Sequence, residues 1–244
     1  MNPLQLVLTA AFVLSGAAGL IYESIWSRYL RLFVGHSAYA QTIVLVIFLG
    51  GMSAGAAWTA RHSERMKQPL FWYARVEAAT GIIGFAFHGM FGVVTAFCYD
   101  TLFPALPGGV TLTVAKWGVA ALLILPQSVL LGTTFPLMSA GYLRASSPDG
   151  RTGSGRVLAN LYFANSLGAA VGVLVAGFVL IRAFGLPGTL QAAGILNVMA
   201  AAMVVAIVLL TREDDVPGAA TLAPAAPAAP ATPAASAAPA APAA

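Results

Sequence analysis

Charge is scarce in this sequence: twelve basic and eight acidic side chains among 244 residues, 8% in all, against roughly 25% in an average soluble domain. That deficit excludes an ordinary water-soluble core. With 59% hydrophobic residues and a mean hydropathy of +0.84, it implies an integral membrane protein that binds the lipid bilayer. Cysteine occurs once, at Cys98, so an intrachain disulfide and a CxxC zinc pattern are both excluded. Packing is the role expected of it. His88 has no second His, Cys or acid at metal spacing and is expected to be a packed core histidine. No Ser-His-Asp set, paired carboxylate site or dinucleotide fingerprint can be assembled on one side of a membrane. No metal, no cofactor and no catalytic residue are therefore expected.

The net charge of +4 does not mark a partner for nucleic acid, because the basic residues are scattered and stand beside helix ends. Topology explains them better. There is also no basic segment before the first apolar run, since the first Lys or Arg is Arg28. A retained first helix is expected in preference to a cleaved leader.

What is abundant is apolar length. Six stretches, about 4–22, 39–58, 71–97, 113–141, 157–182 and 188–211, approach or exceed the roughly 20 residues that cross a hydrocarbon core of about 30 Å. Spanning segments satisfy their backbone internally, so all six are expected to be helices of an all-α polytopic bundle occupying residues 1–212. Arg61, Arg65, Lys67, Arg75, Arg144, Arg151, Arg156 and Arg212 fall on one side, against Arg28, Arg31, Lys116 and Arg182 on the other. Basic residues favour the cytoplasmic side, which puts both termini there. Residues 213–244 pass from acids into an Ala/Pro-rich tail that resists helix formation and is expected to be disordered and linker-like.

Small residues indicate where helices meet. Gly51 and Gly55 in the second stretch, and Gly168 and Gly172 in the fifth, are four apart, the spacing that lets helix backbones approach closely. Such seams serve packing or sliding. Pro126 and Pro136 make the fourth stretch the one expected to be irregular. The "GRTGSGR" segment, 150–156, is Gly-rich and basic, but it follows a span and lacks the order of a phosphate-binding loop.

Ionisable and amide side chains inside the spans are more informative, because a buried charge is seldom retained without a partner. Glu77 lies about 9 Å into the third stretch. Arg75, two residues away, cannot face it and is expected to snorkel outward. Asn160 or Asn165 is the expected partner. Glu77 is then either a hydrogen-bonded structural glutamate or a transport or proton-relay group. Gln127, Asn165 and Asn197 share a similar depth and either line a polar midplane cavity or make separate interhelical hydrogen bonds.

The segments "FVLSGAAGLIYESIWSRYL", "FLGGMSAGAAWTARHSERMKQPLFWYARVEAATGIIG", "LLGTTFPLM" and "RVLANLYFANSLGAAVGVLVAGFVLIRAFGLPGTL" occur in that order over about residues 10–211. Together they resemble the membrane domain of bacterial spermidine-synthase-like membrane proteins, often described as fused MFS and spermidine synthase. The resemblance implies a place in the bacterial inner membrane and in polyamine metabolism. It carries over Tyr22, Glu23, Trp26 and Arg28 of "YESIWSR", and Glu77. In that family a soluble Rossmann-type aminopropyltransferase domain follows and binds decarboxylated S-adenosylmethionine. Here the Ala/Pro tail stands in that place, so no catalytic residue carries over and aminopropyl transfer is not expected of this polypeptide alone.

Two roles follow from that reading. The chain anchors or serves a separate aminopropyltransferase-like partner, or it is a transporter of a small solute, such as a cationic one, built as an MFS-like half that works as a homodimer.

The stretch from 23 to 33 raises its own question. Ser24, Ser27, Arg28 and Arg31 recur at helical spacing as a polar stripe, with Trp26, Tyr29, Leu30 and Phe33 on the other side. This predicts a helix bending into the interface with its aromatics at headgroup depth. Arg28 lies about 140° around the helix from Glu23, so Lys116 or Arg182 is the expected partner of Glu23.

Overall fold

The structure is a computed structural model that describes residues 3–34, 37–62, 66–146 and 154–211. Among these residues there is no strand. Six helical segments follow one another: α1 Pro3–Val34, α2 Ser37–His62, α3 Pro69–Phe97, α4 Val110–Ser146, α5 Ser154–Val175 and α6 Ile181–Thr211, with π-helical turns Cys98–Leu102 and Ala176–Leu180 closing α3 and α5. Arg65, Arg151, Arg212, most of the GRTGSGR loop and the Ala/Pro tail lie outside the described residues.

Five stretches are long and apolar enough to cross a membrane: Pro3–Phe33, Ala38–His62, Pro69–Leu102, Val110–Ala145 and Gly155–Leu210. The last has 56 residues, far more than one crossing needs. It is interrupted at Gly185, whose φ of 66° and ψ of −171° are not helical. Glycine alone adopts that region without steric cost. The irregular backbone sits here and not in α4, which continues as helix through Pro126 and Pro136.

The contacts fix the directions. Phe12 meets Tyr73 near one end of α1 and Phe33 meets Tyr99 near the other, so α1 and α3 run the same way. Leu8 shares a core with Leu161 and Val204, whereas Ile25 shares one with Ala176 and Leu190. Thus α5 runs with α1, and α6 runs against it. Gly51 faces Ser128, and Gly55 faces Val129 and Thr133, so α2 and α4 run together. Gln127 meets Thr80 while Gly141 meets Leu70, which opposes α4 to α3. Direction therefore alternates along the chain, and the start of α1 and the end of α6 lie on one side. Arg61, Lys67, Arg75, Arg144 and Arg156 stand on that side, and Arg28, Arg31, Lys116 and Arg182 on the other.

Helix α1 is central and touches all five other helices. Its seam with α5 is close: a Cβ on Gly168 would lie 2.0 Å from the Val13 carbonyl oxygen, and one on Gly172 would lie 2.6 Å from Ala17 Cα. The α2–α4 seam is equally tight, with a Cβ on Gly55 falling 2.0 Å from the Val129 carbonyl oxygen and one on Gly51 falling 2.6 Å from Ser128 Cβ. Backbones this near leave room for nothing larger than hydrogen and gain dispersion contact along the whole crossing. Large apolar side chains such as Leu122, Phe178 and Leu210 are exposed on the outside, as suits a surface whose solvent is hydrocarbon.

The predicted interfacial elbow does not form. Nothing breaks the helix after Tyr22, and α1 stays one helix to Val34. Trp26, Tyr29, Leu30 and Phe33 are buried because the same face finds an aromatic counterpart on α3. Trp26 stacks on Tyr22 and meets Phe87; Tyr29 meets Phe91 at 4.8 Å between ring centroids. Burying these rings against one another outweighs leaving them at the headgroups.

Candidate functional site

A buried polar network joins α1, α3, α4 and α6 at the centre of the bundle. It is built around Glu77, which is completely buried two turns into α3. Asn197 of α6 donates its side-chain N–H to Glu77 Oε2 and accepts from the Tyr22 hydroxyl of α1 at 2.9 Å. Ser15 and Tyr73 also face the carboxyl group. Tyr22 reaches this position because Gly84 has no side chain: a Cβ there would lie 2.3 Å from the phenol oxygen. On the α4 side, Gln127 donates from Nε2 to the Thr80 carbonyl at 3.0 Å and faces the Tyr22 phenol.

The network is only partly saturated. Glu77 Oε1, Tyr73 Oη, Thr80 Oγ1 and Gln127 Oε1 are buried without a partner in hydrogen-bond geometry. Each such group carries a desolvation cost of about 1–3 kcal/mol. A half-satisfied polar cluster is an unusual component of a core that needs only packing.

The structure corrects the partners expected for Glu77. Asn160 is exposed on the first turns of α5. Asn165 is half-buried and packs its carbonyl and Oδ1 over Gly16, at the α1–α5 seam. Of the three amides expected at one depth, Gln127 and Asn197 come together in the packed network and Asn165 does not. Ser15, Tyr73 and Thr80 belong to the network but do not stand out in the sequence, since isolated hydroxyls in apolar helices carry little signal. The one usable hint for Tyr73 is its position four residues before Glu77, on the same face of α3.

Arg75 is exposed and lies over the rings of Phe71 and Trp72, 4.3 and 5.1 Å from their centroids, directed away from Glu77. His88 is not a core residue. It is exposed on α3, where its Nδ1 is 2.8 Å from the Tyr29 hydroxyl. Cys98 is buried. Among the described residues no group of three or more His, Cys, Asp or Glu could hold a metal ion.

A second polar feature lies on the other face of α1. Glu23, Ser24, Ser27, Arg28 and Arg31 line a cavity of about 370 Å³ together with Gln41 of α2 and Val173 of α5. The polar stripe of the 23–33 stretch thus forms one wall of a cavity. Glu23 is 8% exposed and accepts a hydrogen bond from Gln41 Nε2 at 3.0 Å. Neither Lys116 nor Arg182 is its partner: Lys116 lies over the Phe103 ring, and Arg182 is exposed on α6. Gln41 is near the start of α2, antiparallel to α1, and so lies beside Glu23. Tyr22 and Glu23, adjacent in sequence, therefore point into two separate polar sites.

Comparison with known proteins bears on what this bundle is. The chain is similar to polyamine aminopropyltransferases of Mycobacterium tuberculosis (strains CDC 1551 / Oshkosh and ATCC 25618 / H37Rv) and Mycobacterium bovis (strain ATCC BAA-935 / AF2122/97), with 32% identity over 210 residues in each case. The match covers 84% of this chain, but the chain spans only 36% of the length of those relatives. No family model matches, and no solved structure matches.

Proposed function

We propose that this chain is a membrane-embedded unit that anchors or serves an aminopropyltransferase-like catalytic unit in bacterial polyamine metabolism, and does not itself carry out the transfer. One observation carries this reading. The match to relatives named for aminopropyl transfer covers 84% of a chain whose described residues are apolar helices with no strand. The similarity spans a run of apolar helices, and this supports a non-catalytic reading because transfer chemistry needs a nucleotide-type cofactor, which is held by loops and not by the faces of such helices.

In this reading the chain crosses the bacterial inner membrane six times, the 56-residue stretch crossing twice about Gly185. The side bearing Arg61, Lys67, Arg75, Arg144, Arg156 and both termini is cytoplasmic. The catalytic unit works on that side. Extraction of the tagged chain in mild detergent from its native host, with mass spectrometry of what accompanies it, tests the proposal. Recovery of an aminopropyltransferase-like protein supports it, and repeated recovery of the chain alone opposes it.

A second reading is favoured by the Glu77 network. A buried carboxylate joined to an amide and a phenol from two other helices is a group on which a proton or cation can act during transport. The alternating helices would then be an MFS-like half working as a homodimer. Uptake of labelled putrescine or spermidine into liposomes containing the protein supports this reading, and no uptake across a broad solute panel removes it.

A further inference from the structure

The cavity beside Glu23 has a composition that neither reading uses. One wall carries two guanidinium groups, Arg28 and Arg31, one turn apart on α1; deeper in stands the carboxylate of Glu23, with Ser24, Ser27 and Gln41 around it. Among the described residues, Arg28 and Arg31 have neither a hydrogen bond nor an ion pair. They are exposed, whereas Glu23 is 8% exposed and carries one hydrogen bond, from Gln41. Two cations at the mouth and one buried anion behind them make a site of mixed sign.

Free polyamine does not suit this arrangement, because the arginines repel it. A simple anion uses the arginines and leaves Glu23 uncompensated. A molecule with an anionic group and a primary ammonium a few bonds apart satisfies both ends. Phosphate oxygens accept from Arg28 and Arg31 in charge-assisted bonds, and the ammonium donates to Glu23. The volume, about 370 Å³, falls within the range of small-molecule sites.

The position indicates how such a molecule arrives. Helix α1 has 32 residues, about 48 Å at 1.5 Å per residue, and so outruns a hydrocarbon core of about 30 Å. Arg28 and Arg31 occupy its last two turns, where that surplus length would bring them to headgroup depth. The cavity opens where α2 and α5 flank α1 while scarcely touching each other. Leu32 and Leu174, next in sequence to the lining residues Arg31 and Val173, are exposed. An acyl chain can lie along that surface while its headgroup enters from the side.

We propose that this cavity binds a phosphate–ammonium zwitterion of the phosphoethanolamine type, with phosphate on Arg28 and Arg31 and ammonium on Glu23. The chemistry is the same whether the source is an ethanolamine phospholipid or a soluble phosphoethanolamine.

Native mass spectrometry of the delipidated full chain, titrated with phosphatidylethanolamine, phosphatidylglycerol, phosphatidylcholine and soluble phosphoethanolamine, tests the assignment. The ethanolamine lipid is expected to be retained about tenfold more strongly than the glycerol lipid, the value of one charge-assisted contact. Phosphatidylcholine, whose ammonium has no N–H to donate, is expected to bind more weakly than phosphatidylethanolamine. Glu23→Gln is expected to abolish the preference for ethanolamine while keeping phosphatidylglycerol bound. The paired substitution Arg28→Gln and Arg31→Gln is expected to lose both lipids, and the paired change to Lys to restore part of the binding. Ser24→Trp fills the cavity without changing charge and is expected to block binding in a monodisperse protein, which separates occlusion from misfolding. Retention of soluble phosphoethanolamine, lost in the Gln pair, identifies a soluble source; retention of the lipid alone identifies the membrane. Equal retention of all headgroups by the unaltered chain, or a preference that survives Glu23→Gln, overturns the proposal.

Discussion

Asn197 donates its side-chain N–H to the Glu77 carboxylate across 120 positions of sequence, and it accepts from the Tyr22 phenol, joining that phenol to the carboxylate. The amide makes three helices into one polar unit: α6 supplies it, α3 the acid and α1 the phenol. Because both Asn197 and Glu77 are fully buried, neither can turn to water if the other is removed.

Substitution at Asn197 should therefore cost more than an ordinary interhelical bond in a membrane, about 0.6 kcal/mol. Asn197→Leu is expected to destabilise the protein by about 1–3 kcal/mol, since it leaves Glu77 Oε2 buried without a donor. Glu77→Gln, which keeps size and an acceptor oxygen, is expected to be milder than Glu77→Leu. Thermal unfolding in a fixed detergent measures both. A double-mutant cycle of Asn197→Leu with Glu77→Leu should give a coupling within 0.5–3 kcal/mol, on the order expected for residues in contact.

The tight seams make a positional expectation. Gly55→Leu and Gly168→Leu place side chains where a Cβ alone would be 2.0 Å from a neighbouring carbonyl oxygen, and both are expected to abolish a monodisperse protein on size-exclusion chromatography. Gly89→Leu and Gly92→Leu, where a Cβ meets nothing within 4 Å, are expected to be tolerated. Equal effects at all four positions would contradict the packing.

At Gly185 the cost is conformational. The φ of 66° lies in a region that side-chain-bearing residues populate at a cost of about 1–3 kcal/mol. Gly185→Ala is expected to lower thermal stability by that order although the nearest atom to its Cβ is 3.7 Å away. Gly177→Ala, in open space within a helical turn, serves as the neutral comparison.

Topology can be read by chemistry. In a Cys98→Ala background, cysteines placed at Lys67, Ala145 and Arg156 are expected to react with a membrane-impermeant thiol reagent from the cytoplasmic side. Cysteines at Gly108 and Phe184 are expected to react from the opposite side. Labelling of Phe184 from the same side as Arg156 would show that Gly155–Leu210 does not cross twice.

How much of this was legible in the sequence varies by residue. Apolar runs and glycine spacing locate the helices, because burial of backbone polar groups in lipid leaves almost no other conformation. The helices nonetheless exceed the predicted spans at several ends: α1 reaches Val34 instead of stopping near residue 22. An aromatic face on α1 was visible, but not its destination, which depends on Phe87 and Phe91 standing opposite. Pairing was the least legible part. Depth along a helix put Asn165 level with Glu77, whereas rotation about α5 turns it towards Gly16, and sequence alone does not fix how helices are rotated against one another. Glu23 needs a partner because a carboxylate in an apolar helix is costly to bury. The sequence points to a charged partner, whereas the structure supplies the amide of Gln41, a neutral donor that does not stand out in an apolar run.

The most direct measurement of the central claim is aminopropyl transfer from decarboxylated S-adenosylmethionine to putrescine, assayed on the 244-residue chain purified alone and on the material that mild detergent extracts with it. No turnover by the chain alone is expected, and activity in the co-extracted material is expected to follow an aminopropyltransferase-like protein. Turnover by the purified chain alone would contradict it.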